Sequence, residues 1–293
     1  MVRSITKLAS VWVAVGALHA SVAYAQDVEP ESDEKSEKSK EEKGSGEEKA
    51  KEEKPAAEET TADPGSKENS PVEEQGKTYR FVGARYRAII VPQFMLNLFA
   101  DGGTTVVVHS FGPEFAIRKD GFEYNLGAWL AFYSMGDTPF KGKNDGVEAW
   151  EIVSASTKIF YLTSDFMWTH QFSPQVGLNY GVGAGLGIVF GNINRTQAFP
   201  PSGNPAEDPA NWQKCASVGN PNPVFCDGSN DHYAGYTEPS WANGGSKPIV
   251  FPWLMLQTGL RYKPSRSFVG RLDFGFGTSG FMIGIGGDYG LPN

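Results

Sequence analysis

From Tyr79 to the C-terminus, large apolar residues alternate with small or polar ones at a period of two. The clearest run is 176–190. Val176, Leu178, Tyr180, Val182, Ala184, Leu186, Ile188 and Phe190 fall on one face; Gly177, Asn179, Gly181, Gly183, Gly185, Gly187 and Val189 fall on the other. Only an extended strand sends successive side chains to opposite faces in this way. In 122–133, Phe122, Tyr124, Leu126, Ala128, Leu130 and Phe132 alternate with Glu123, Asn125, Gly127, Trp129, Ala131 and Tyr133. The same alternation predicts eight strands, at 83–99, 104–118, 121–135, 150–170, 175–191, 249–262, 268–277 and 280–291. Two of these are less regular. Lys158, Ser164 and Asp165 compete for register in 150–170, and Pro252 fits a strand end or bulge better than a paired interior.

The connections alternate in length. Those at 118–121, 172–175 and 263–267 are tight turns, whereas 136–149 and 192–248 are long. With the tight turns on one rim, the strands run up and down around a barrel, and both ends of the body fall on that rim. The expected fold is all-β: an up-and-down antiparallel transmembrane β-barrel of about eight strands, behind a disordered N-terminal tail. A soluble barrel would turn its apolar face inward. Here the second face is lined with Gly and scattered charge, and at 176–190 it carries no charge at all. A continuous Leu, Ile, Phe and Tyr face suits hydrocarbon. Aromatic residues near strand ends, Tyr86, Phe99, Phe122, Tyr133, Trp150, Trp168, Phe190, Trp253, Tyr262 and Tyr289, are candidates for interfacial girdles.

Charge sharpens the division of the chain. Residues 26–76 hold 18 acidic and 8 basic residues, a net of −10, and the leader adds Arg3 and Lys7. The body, 77–293, is then neutral, with 16 residues of each sign. Nothing in it resembles the basic patch of a nucleic-acid binder. Segment 26–76 has only Val28 and Val72 as large aliphatics and no aromatic residue, too little to offset the entropy of ordering. It reads as an acidic, Glu/Lys-rich periplasmic linker, able to meet a periplasmic partner by charge. Residues 1–25 read as a secretory signal peptide: a basic start, an apolar run from Leu8, and Ala23-Tyr24-Ala25 before Gln26. In an exported chain, Cys215 and Cys226 are most simply a disulfide.

The last strand closes with Gly286-Gly287-Asp288-Tyr289-Gly290-Leu291. With the leader, the strand count and the loop asymmetry, this resembles the small OmpA-like outer-membrane β-barrel superfamily over residues 77–293. The resemblance implies outer-membrane lipid around the barrel and the barrel-assembly machinery as a partner during biogenesis. It departs from the family pattern in ending Leu291-Pro292-Asn293 rather than on an aromatic residue. No peptidoglycan-binding domain accompanies the barrel.

Three places can carry function. The charges expected to face the lumen are Arg85, Arg87, Glu114, Arg118, Glu123, Arg261, Arg271, Asp273 and Asp288. Buried charges must be paired or solvated, so these imply an interior plugged by side chains, with a narrow solute path as the alternative. The resemblance brings in lipid A-modifying enzymes, for which His109, Ser110, Glu114 and His170 are the available groups. However, adjacent residues 109 and 110 point to opposite faces of a strand. Loop 192–248 carries Trp212, Tyr233, Tyr236 and Trp241, suited to an extracellular partner or glycan, with a lid over the barrel mouth as the other reading. The expected function is therefore non-enzymatic, structural or surface-interacting; a small porin ranks second and a lipid-modifying enzyme third. No cofactor is implied.

Overall fold

The computed structural model describes residues 70–292 except 229–231 and 234. The leader at 1–25 and the linker as far as residue 69 lie outside the described residues. The described chain forms β1 (Tyr79–Val91), β2 (Ala100–Gly102), β3 (Val106–Lys119), β4 (Phe122–Gly142), β5 (Glu151–Gln171), β6 (Val176–Phe199), β7 (Gln213–Lys214), β8 (Tyr236–Thr237), β9 (Val250–Tyr262), β10 (Phe268–Gly277) and β11 (Gly280–Gly290). Eight of these are long. They pair antiparallel in the order β4-β3-β1-β11-β10-β9-β6-β5, and β5 pairs with β4 to close the ring. The first and last strands meet along Phe81–Gly290 to Ile90–Phe281, so the barrel has no free edge. β2, β7 and β8 are short strands added to β4 and β6 at the long-loop rim.

The strand bounds differ from the sequence pattern at three places. The first strand stops at Val91 because Pro92 follows, and Gln93–Leu96 is a single helical turn. β4 and β6 run to Gly142 and Phe199, past the glycines at 136 and 191. Much of 192–248 is therefore strand and compact loop. In β4 the ladder survives through a register shift between Met135 and Thr138. Pro252 sits in β9 opposite Leu186, beyond Met255–Gly277, where the ladder with β10 ends.

The hairpin between β3 and β4 has a two-residue turn. Asp120 and Gly121 both have positive φ, 51° and 80°, the conformation that matches the twist of the flanking strands. Inside the barrel, Gly112 faces the lumen where Trp129 crosses it. A Cβ there would lie 2.2 Å from the Ala128 carbonyl oxygen and 2.4 Å from Trp129 Cα.

The polarity is inside out relative to a soluble barrel. Val107, Leu126, Leu162, Leu186, Leu256 and Ile285 are exposed on the outer surface, while Arg85, Glu114, Glu123, Arg271 and Asp288 are buried inside. An outer surface of this kind is stable only in hydrocarbon. Phe122 packs against Trp168 at the short-turn rim, and Tyr262, Phe268 and Tyr289 are exposed at the same rim. Three of the proposed girdle residues are placed elsewhere. Trp253 and Tyr133 face inward, and Trp150 packs in the core of the loop module.

Candidate functional site

The lumen is layered along its axis. At the short-turn rim, Tyr79, Phe81, Ala116 and Val269 form a small apolar cluster. Around and above it runs a connected series of ion pairs. Arg118 lies 3.5 Å from Glu123, and Glu123 accepts from Arg271, which also donates to Asp288. Arg271 Nε lies 3.7 Å from Glu114, and Glu114 receives Arg85 through Nη2 at 2.9 Å. Arg85 reaches Asp273 at 3.3 Å, and both Arg85 and Arg87 face Asp165 at 3.9 Å. Gln257 donates to Asp165 at 2.9 Å. The Arg87 guanidinium then lies over the Trp129 ring, 4.9 Å from its centroid.

Above this the lumen is apolar. Trp129 stacks on Tyr161 at 4.3 Å and meets Trp253 edge-on at 4.7 Å. Ile89, Val108, Ile159, Val189, Phe251, Met255 and Met282 complete the layer. Charge and glycine alone do not account for this lumen, since the rings of Trp129, Tyr161 and Trp253 occupy it as well. The sequence signal for this was present in 122–133, where Trp129 shares a face with Glu123 and Asn125.

All nine charges proposed from sequence face inward. Three further members of the ion-paired series were missed. Asp165 lay in the strand whose register was ambiguous. Lys263 was placed in a turn, and Glu73 in the linker. Glu73 enters the short-turn mouth from outside the barrel wall. Its carboxylate accepts from Arg118 Nε at 2.6 Å, Arg261 Nη2 at 2.8 Å and Lys263 Nζ at 3.2 Å. Burial would raise the Glu73 pKa, but Arg261, Arg118 and Lys263 outweigh it and lower the carboxyl to about 2.

At the other rim, segment 199–228 has a core of its own. Cys215 and Cys226 are disulfide-bonded, and pack with Phe199, Trp212 and Phe225 against Trp150 and Ile152 of the barrel side. Below this core, Arg195 pairs with Glu151 and Glu238 at 2.7 and 2.8 Å, and His232 Nδ1 lies 2.7 Å from Glu151. Among the four aromatic candidates in the loop, Trp212 is 4% exposed and is a core residue, because its ring fills the space beside the disulfide. Tyr233 packs against the same core, and Tyr236 stacks on His232. Trp241 is 46% exposed and remains available to a partner.

The groups considered for catalysis are not assembled. His109 faces outward and shares a hydrogen bond with Tyr86 at 2.6 Å. Ser110 faces inward and donates to the Arg87 carbonyl oxygen at 3.0 Å. His170 packs against Phe172 at the short-turn rim. Among the described residues, the recorded partner of the Ser110 hydroxyl is a backbone carbonyl rather than the base that nucleophilic catalysis requires.

Fold and lumen together define a small transmembrane β-barrel, charged and aromatic within and apolar without. No family model and no curated protein sequence matches the chain. Among solved structures, Neisserial surface protein A is similar at 8% identity and a TM-score of 0.33, covering 73% of this chain and 98% of that one. The attachment invasion locus protein Ail of Yersinia pestis is similar at 11% identity and a TM-score of 0.34, covering 74% of this chain and 100% of that one. Ail is also known in complex with the heparin analogue sucrose octasulfate.

Proposed function

We propose that this protein is a non-enzymatic outer-membrane barrel with a closed interior, whose role is structural or surface-interacting. The observation that supports this reading is the succession of ion pairs and packed rings along the lumen. Paired charges occupy it from the Glu73 mouth up to Arg87, and stacked rings occupy it from Trp129 upward. An eight-stranded barrel has an interior just wide enough for side chains to fill. In this reading the chain is exported behind a leader at 1–25, its acidic linker stays in the periplasm, and the long-loop rim faces outward.

With the lumen closed, contact with the surroundings falls to the stapled module over 199–228 and the segment that follows it. Val218, Val224 and Trp241 are exposed there, over a core held by the disulfide. Exposed rings and aliphatics on an ordered support suit an extracellular protein or glycan. Planar-bilayer recording of the refolded full chain tests the closed interior: a silent bilayer is expected, and steady unitary currents would overturn the reading in favour of a small porin. Binding of whole cells to host-surface glycans and proteins tests the module, and is expected to fall with Trp241→Ala. Mass spectrometry of lipid A from expressing cells should show no modification that depends on His109 or His170.

A further inference from the structure

The short-turn mouth is built around a charge that the barrel wall does not supply. Arg118 on β3, Arg261 on β9 and Lys263 in the turn after β9 converge there, and all three are buried. Among the described lumen residues, Arg85, Arg87, Arg118, Arg261, Lys263 and Arg271 face only five wall carboxylates: Glu114, Glu123, Asp165, Asp273 and Asp288. Glu73 brings the sixth. It belongs to a segment outside the strand ladder, held by a Glu74 N–H to Tyr79 Oη bond at 2.8 Å and a Gly76 N–H to Asp120 bond at 2.6 Å. Glu73-Glu74 is also the last of five Glu-Glu pairs in the chain; the others are 41–42, 47–48, 52–53 and 58–59.

We propose that Arg118, Arg261 and Lys263 form a carboxylate-binding site for acidic peptide segments of the Glu-Glu type, with Glu73 as resident ligand and the upstream pairs as exchangeable ones. The physical case is charge balance. Arg118 and Arg261 share the wall carboxylate Glu123, at 3.5 and 3.8 Å, whereas the carboxylate that Lys263 meets is Glu73, so three desolvated cations are costly until another anion enters. The site is complete only when a carboxylate from beyond the barrel wall enters it. The resident has the advantage of a short tether and so a high effective concentration. Another acidic segment gains access when the resident is absent or neutral.

The test uses the full chain in detergent. A zero-length carboxyl–amine cross-linker applied to the wild type should join Lys263 to Glu73, read by peptide mass spectrometry. In Glu73→Gln, the Lys263 cross-link should move to one of the upstream pairs. An isotopically mixed sample separates exchange within one chain from exchange between chains. A labelled synthetic peptide of residues 70–78 should bind the wild type weakly. It should bind at least tenfold more tightly to a variant carrying Gln at Glu73 and at all four upstream pairs, with affinity falling as salt rises. The same peptide with Gln at its Glu73 position should not bind. Absence of the Lys263–Glu73 cross-link in the wild type would overturn the proposal without recourse to any variant. Equal peptide binding by the wild type and the Gln variant would overturn exchange. Retained binding after Arg118→Gln and Lys263→Gln are added would overturn the assignment of the site.

Discussion

Arg85 and Glu114 meet across adjacent strands through two contacts, Nη2 to Oε1 and Nε to Oε2, each at 2.9 Å. Neither is directly opposite the other, since Glu114 pairs with Gly83 and Arg85 with Gly112. Both glycines are packed against the next strand: a Cβ on Gly83 would meet Asp288, and one on Gly112 would meet Trp129. The Arg85–Glu114 pair joins the lower part of the ion series, through Arg271, to the upper part, through Asp273 and Asp165. Truncating one partner strands the other in a buried place. Glu114→Ala is expected to destabilise the barrel by about 3–5 kcal/mol. Urea titration of the refolded barrel, followed by heat-modifiable gel mobility, measures the loss.

The aromatic layer lends itself to a separate prediction. Trp253 lies edge-on to Trp129 at 4.7 Å and to Tyr161 at 5.4 Å. Trp253→Ala should cost about 3–5 kcal/mol of stability through the cavity it leaves. The bilayer should nevertheless stay silent, because the paired charges beneath remain in place. Steady currents from this single variant would show that the rings alone seal the lumen.

The mouth should respond to acid. The Glu73 carboxyl is lowered from 4.5 to about 2 when docked among Arg261, Arg118 and Lys263. A depressed carboxylate pKa stabilises the docked state fully above the undocked value and loses that contribution as pH falls through the docked one. The window is therefore between pH 4.5 and about 2. A dye attached at Ser70→Cys should show constant anisotropy from neutral pH to the upper edge of that window, then a fall across it. With Glu73→Gln added, anisotropy should be low throughout. A fall that begins near neutral pH would point to another group.

Reduction should act locally. The Cys215–Cys226 bond closes a loop of sequence separation 11 that contains Phe225 and packs against Trp212. Its loss should destabilise the module by about 2–4 kcal/mol. The expected result after reduction is proteolysis within 200–228 and an unchanged heat-modifiable band for the barrel. Loss of that band would mean that the module and the barrel unfold as one unit.

The barrel was legible because strand periodicity is a local property. Each of Leu126, Leu186 and Ile285 has a small or polar neighbour on either side, and the inward or outward choice follows from the contrast. The side that carries charge was legible for the same reason. What escaped the sequence was set by distant partners. Glu73 sits in a stretch that cannot form a core, and its place is set by Arg118, Arg261 and Lys263 far along the chain together with the bonds of Glu74 and Gly76 to Tyr79 and Asp120. Trp212 has the composition of a contact residue, yet the disulfide and Phe225 turn it inward. The continuation of β6 past Gly191 was hidden because its ladder with β5, reaching Glu151–Gln197, is sustained by polar pairs such as Arg195 and Glu151 rather than by apolar alternation.

That continuation has a mechanical consequence. β6 has 24 residues, and about 9–11 suffice to cross a bilayer. The surplus stands clear of the hydrocarbon, braced by β5 as far as Gln197 and by β7 and β8 near its tip. The stapled module is thus carried on a stiff mast rooted in the barrel wall. In the proposed orientation, a partner outside the cell would meet a shaped epitope at fixed height. An antibody raised against the folded module should fail to recognise linear peptides cut from 200–228.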